Sequence, residues 1–248
     1  MAPVADPFEE SENWAGYAVT AAAGASTTFR AVSGTWVQPR ATCSEAGATY
    51  SGFWVGLGGF VGSKALEQIG TSSDCTDSGA ATYSAWYELI PAPPVPIKLK
   101  VAAGDTISAL VAVSGSNVTL RIRNVTRHGV FTKKLTSSAL DLTSAEWVAE
   151  APSSCDGFGR CRTLPLTNFG TITFSGAAAA TSDGAGGTIS NPAWATTALR
   201  LVSRSPVEID PSTGAVRIGS DDEAPGAVPS TLSADGTGFS VTFRPDVG

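Results

Sequence analysis

Read two residues at a time, the chain breaks into short runs in which apolar and polar positions alternate, each ended by Gly, Pro, Ser, Asp or Asn. Period two puts successive side chains on opposite faces of a strand, and no stretch sustains the spacing of an amphipathic helix. Residues 13–19 open the series, and Phe29–Val37 follows with Val32, Gly34 and Trp36 on one face. An apolar run over 51–59 leads into a glycine-rich turn, and 82–90 is stopped by Pro91-Ala-Pro-Pro. Further runs lie at 97–101, 107–113, 118–123 and 130–135, with a hairpin turn at His128-Gly129. Runs at 143–150, 169–174, 199–202, 207–209, 216–218 and 239–243 complete the set. Many short strands separated by turn residues imply an all-β fold, a single-domain antiparallel two-sheet sandwich. The domain is expected over 13–248, with 1–12 as an N-terminal extension and the Ala/Gly-rich stretch 177–187 as a mobile loop.

Composition narrows the class. Charged residues are 15% of the chain, well below the usual quarter, which suits an extracellular all-β protein. A fold that leans little on ionised carboxylates also loses less when acid protonates them. The net charge of −6 leaves no basic stripe for nucleic acid. No run reaches the length of a membrane span, and 1–12 lacks the regions of a secretory signal, so a secreted product is expected to have lost one. An even count of four cysteines without Cys-x-x-Cys reads as disulfides rather than zinc. Cys155 and Cys161 bracket a short turn-rich loop, and Cys43 with Cys75 would close a longer one. Four cysteines allow three connectivities, and a reduced buried pair is the alternative.

Most hydrolytic chemistries are removed by what is missing. The single histidine, His128, sits in a turn with no orienting carboxylate, so a histidine-based triad has no material. Zinc catalysis wants two or three histidines. The acidic loop Ser220-Asp221-Asp222-Glu223 reads as a solvated turn rather than a calcium site. Four strand-borne acids remain: Glu67, Glu88, Glu146 and Glu150. Glu146 and Glu150 share a strand face, with Trp147 opposite. Four residues hold them roughly 13 Å apart, too far for a glycosidase pair. Glu88 approaching Glu146 across strands keeps a glycosidase open, and a lectin-like carbohydrate-binding module is the non-catalytic alternative.

Several stretches occur together and in order. They are Asn13-Trp14-Ala-Gly, Val32-Ser-Gly-Thr-Trp-Val-Gln-Pro, Phe53-Trp54-Val-Gly-Leu-Gly, Ala65-Leu66-Glu67-Gln68-Ile-Gly, Tyr83-Ser-Ala-Trp86-Tyr87-Glu88 and Ser144-Ala-Glu146-Trp147-Val-Ala-Glu150. In this set the chain resembles the glutamic peptidases, or eqolisins, from Asn13 through Glu150. The resemblance implies a lectin-like sandwich and a secreted, monomeric, cofactor-free and metal-free acid endopeptidase acting on polypeptides. It implies a catalytic pair of Gln68 and Glu146. Trp14, Trp54, Trp86, Tyr87 and Glu88 are expected at the substrate groove, with Glu150 as a supporting acid. One position departs from the family: its glycine-rich turn usually reads Trp-Val-Gly-Ile-Asp-Gly, and here Gly58 stands where the aspartate does.

Overall fold

The computed structural model describes residues 8–60, 62, 65–156, 161–202, 207–209, 216–218 and 225–246, and among them there are twenty strands and no helix. In chain order these begin β1 (Glu9–Ser11), β2 (Trp14–Ala21), β3 (Phe29–Val37), β4 (Gly52–Gly58), β5 (Leu66–Cys75), β6 (Ala81–Ile90) and β7 (Val95–Ile97). They continue β8 (Thr106–Ser114), β9 (Asn117–Asn124), β10 (Gly129–Thr136), β11 (Ser144–Glu150), β12 (Ser153–Cys155), β13 (Cys161–Thr163) and β14 (Thr171–Thr181). The last are β15 (Gly186–Thr188), β16 (Trp194–Val202), β17 (Val207–Ile209), β18 (Val216–Ile218), β19 (Gly226–Pro229) and β20 (Phe239–Arg244).

One layer runs β10-β9-β8-β3-β14-β20 and the other β16-β2-β11-β4-β5-β6-β7. The alternation read from the sequence is what builds the first layer. In β8 and β9 the inward side chains Ile107, Val111, Leu120 and Ile122 are buried while their neighbours face water. Trp36, Trp147, Phe29, Phe53, Phe169 and Phe174 fill the space between the layers. Two buried indoles find acceptors across it, Trp147 Nε1 donating to Ser33 O at 2.7 Å and Trp36 Nε1 to Thr71 Oγ1 at 3.0 Å.

The second layer breaks the alternation. An antiparallel sheet with one wet face should read buried, exposed, buried. Instead β4 is buried at every position, and β5 and β11 at all but one. Both faces of these strands are therefore covered, one by the other layer and the outer one by its own large side chains.

Some expectations are revised. The two-layer sandwich itself is as expected, its layers also joined by hydrogen bonding through β19. Strand β1 lies inside the stretch expected to be an extension and pairs in parallel with β16, Glu9 opposite Leu199. Residues 177–187 are not a loop: β14 continues through a register shift between Ser175 and Ala178, and β15 returns against it. Ala177 and Ala179 are buried there, so the low-complexity alanines are inward strand positions. Strands β17 and β18 pair only with each other, not with the main sheet. The disulfides join Cys43 to Cys75 and Cys155 to Cys161, the second closing the β12–β13 hairpin. The acidic loop at 220–223 lies outside the described residues.

Candidate active site

Strand register sets out the site. Across the second layer Glu146 of β11 lies opposite Gly56 of β4, Gly56 opposite Gln68 of β5, and Gln68 opposite Glu88 of β6. Side chains of one row share a face. That face also carries Trp14, Trp54, Leu66, Trp86, Val148 and Ile90, which pack as a second cluster apart from the main core.

Gln68 is 3% exposed, and its Nε2 donates to Glu88 Oε2 at 2.7 Å. Among the described residues its Oε1 meets no donor. Burial pushes the Glu88 carboxyl up, against the pull of the Gln68 hydrogen bond. Glu150 is partly exposed and accepts three hydrogen bonds. Trp54 Nε1 donates to its Oε2 at 2.7 Å, while Asn13 Nδ2 and Trp14 Nε1 reach Oε1 at 3.1 and 3.3 Å. The Trp14 and Trp54 rings meet edge to face, 5.0 Å between centroids. Burial raises the Glu150 carboxyl to about 7; the indole donors oppose this and the charge of Glu88 adds to it. Trp86 is half-buried on the same face and donates to Ser72 Oγ at 2.9 Å.

Glu146 is placed differently. It is 0% exposed, and neither carboxylate oxygen has a hydrogen-bond partner of good geometry. Burial holds its carboxyl well above the usual range; the Ser144 hydroxyl pulls the other way, and Asp141 and Glu67 push it further up. Gly56 lies between it and Gln68 in the strand register. The place a side chain at Gly56 would take is filled by Trp54 Cζ3 and Leu66 Cδ1, 2.8 and 2.9 Å from that point. Glu146 is thus fully buried in the row of Gln68, while Glu150, four residues on along the same strand face, is partly exposed.

In a flat sheet Glu88 would lie in the row of Glu146, not of Glu150. Yet it is Glu150 whose titration Glu88 perturbs, while Glu146 responds to Asp141 and Glu67.

Tyr87 does not line the groove. It sits one residue from Glu88, so strand parity turns it to the interlayer side, where it stacks on Phe131 with centroids 5.9 Å apart. Glu88, which a glycosidase would need as the partner of Glu146, is instead hydrogen-bonded by Gln68.

The departure at Gly58 has a structural counterpart. Gly58 has φ of 85°, and a Cβ there would fall 2.6 Å from Asp141 Cβ and 2.7 Å from Asp141 O. An acid does stand at this turn, delivered from the approach to β11. Asp141 Oδ2 accepts from Gly59 N at 3.1 Å, and Oδ1 from Thr143 N and Oγ1 at 2.9 and 2.6 Å. Glu67 is 0% exposed on the interlayer side and is raised to about 8 by burial and by Asp141. Sequence reading passed over Asp141 because it belongs to no strand. The Asp-x-Thr spacing of an Asx turn just before β11 was the available signal.

An all-β sandwich with an uncharged amide and strand-borne acids on one aromatic-lined face fits a glutamic-type hydrolase. The chain belongs to the Peptidase A4 family, the glutamic peptidases or eqolisins, whose sequence pattern matches residues 12–208. Solved structures agree on the fold. Scytalido-glutamic peptidase with a transition-state analogue inhibitor superposes with a TM-score of 0.69 at 23% identity, covering 94% of this chain and 99% of that one. SCP-B, an eqolisin in complex with the tripeptide Ala-Ile-His, gives 0.66 at 24%, with 94% and 99% covered. Aspergilloglutamic peptidase from Aspergillus niger gives 0.57 at 24%, with 79% and 99% covered. No curated protein sequence matches the chain.

Proposed function

We propose that this endopeptidase cuts polypeptides with Glu150 and Gln68, without a covalent intermediate. The observation that supports the reading is that Glu150 stands partly exposed on the strand face that carries Gln68, held by the Trp54, Trp14 and Asn13 donors, whereas Glu146 is fully buried. Ionised Glu150 takes a proton from a water as that water attacks the scissile carbonyl carbon, and then passes the proton to the leaving amine. Gln68 cannot titrate. Its second Nε2–H stabilises the oxyanion, and Oε1 holds the attacking water. Trp14, Trp54 and Trp86 wall the groove around the peptide.

The working range is proposed to be near neutral. A general base raised to about 7 loses activity as pH falls below that value. Glu67 and Glu146, buried with their protons, oppose a move to alkaline pH. Two disulfides suit secretion into an oxidising compartment.

Glu146 is the second reading, favoured by its row with Gln68. Incubating a denatured protein with wild type, Glu150→Gln and Glu146→Gln across pH 2–8 decides between them. Proteolysis by wild type and Glu146→Gln but not Glu150→Gln is expected. Loss in Glu146→Gln alone, with its fold intact, would return the role to that residue.

A further inference from the structure

We propose that Glu88 is a positioning residue that fixes which end of the Gln68 amide faces the reacting bond; this rests on Gln68 belonging to the site as argued above. The two residues are directly opposite in the β5–β6 register, and the Gln68 Nε2 to Glu88 Oε2 distance is 2.7 Å. The two ends of a glutamine amide are nearly the same size, so packing alone does not choose between them. Around Gln68 the packing is indeed neutral: Gly56 lies opposite on β4, and Leu66 precedes it on its own face. A carboxylate makes the choice because it only accepts hydrogen bonds. It takes the NH2 end and repels the carbonyl end.

The consequence is chemical. With one N–H held by Glu88, the second N–H and the unpartnered Oε1 are both left for the substrate side. The first suits an oxyanion and the second a water. Turned over, the amide would set its oxygen against the Glu88 carboxylate, and the geometry of both contacts would be lost. Glu88 touches neither water nor peptide in this account and acts only through Gln68.

The test is a mutant cycle on one peptide substrate: wild type, Glu88→Gln, Gln68→Ala and the double variant, with kcat and KM measured separately. A glutamine at 88 can donate as well as accept, so it no longer selects. Glu88→Gln is expected to lower kcat about tenfold, the size of a modest loss of preorganisation, with KM unchanged. In the Gln68→Ala background the same change should do nothing. Glu88→Asp keeps an acceptor-only carboxylate on a shorter stem and should retain more kcat than Glu88→Gln; it also serves in the cycle if Glu88→Gln fails to fold. Equal effects of the Glu88 change in both backgrounds would overturn the proposal. So would a raised KM with normal kcat, which marks a substrate contact instead. Wild-type turnover by Gln68→Ala would sink this proposal and the site reading together. A crippled Gln68→Ala with an additive Glu88 effect would sink this proposal alone.

Discussion

Glu146 and Glu150 stand four residues apart on one face of one strand and have opposite fates. Glu146 is fully buried among other acids, with no hydrogen-bond donor of good geometry among the described residues. Glu150 is partly exposed and holds three donors. An acid without partners in a dry site survives by keeping its proton, so Glu146 acts as a neutral polar group. An acid with indole and amide donors can lose its proton near neutrality and serve as a base. A shared face is therefore no guarantee of a shared role.

The largest effect expected from this contrast is on turnover. Glu150→Gln should lower kcat by at least about 10⁴-fold, the loss seen when a required acid–base group goes, while Glu146→Gln stays within about tenfold of wild type.

The next effect is on stability, and here Glu146 and Glu67 dominate. Both have folded-state values raised above the ordinary carboxyl range, Glu67 to about 8. Between about pH 4.5 and 8 the native state therefore binds more protons than the unfolded chain, and stability falls as pH rises through that window. It is fully present below the unfolded value. Ionising Glu67 alone should cost several kcal/mol, so Tm should drop by about 10 °C from pH 4 to pH 8. Glu67→Gln should flatten that decline in a thermal melt series. A Tm that climbs toward pH 8 would contradict the burial account.

A smaller effect separates the two acids by their donors. Trp54→Phe keeps a ring over Gly56 but removes the 2.7 Å hydrogen bond to Glu150. Losing a donor to the charged form raises a carboxyl, so the acid limb of kcat/KM should move up by about one pH unit. An unmoved limb would mean that Trp54 only packs.

Much of this was legible in the chain. Period-two alternation gave β3, β8 and β9 with their inward faces, and parity correctly set Trp147 opposite Glu146. Parity also turns Tyr87 away from Glu88, although its place in a family motif suggested the groove. What alternation does not contain is curvature. Which end of β11 bends toward β6, and whether a tryptophan lies down over a glycine, depend on twist and packing between strands far apart in sequence. Residues 177–187 misled for another reason: alanine and glycine read as loop until a neighbouring strand requires small side chains.

The account turns on Glu150 and Gln68 acting on one tetrahedral centre. A crystal structure of the enzyme with a peptide analogue carrying a tetrahedral hydroxyl-bearing centre tests this most directly. It should place one oxygen within about 3 Å of a Glu150 carboxylate oxygen and another within about 3 Å of Gln68 Nε2. A centre lodged against Glu146, with Glu150 untouched, would contradict it.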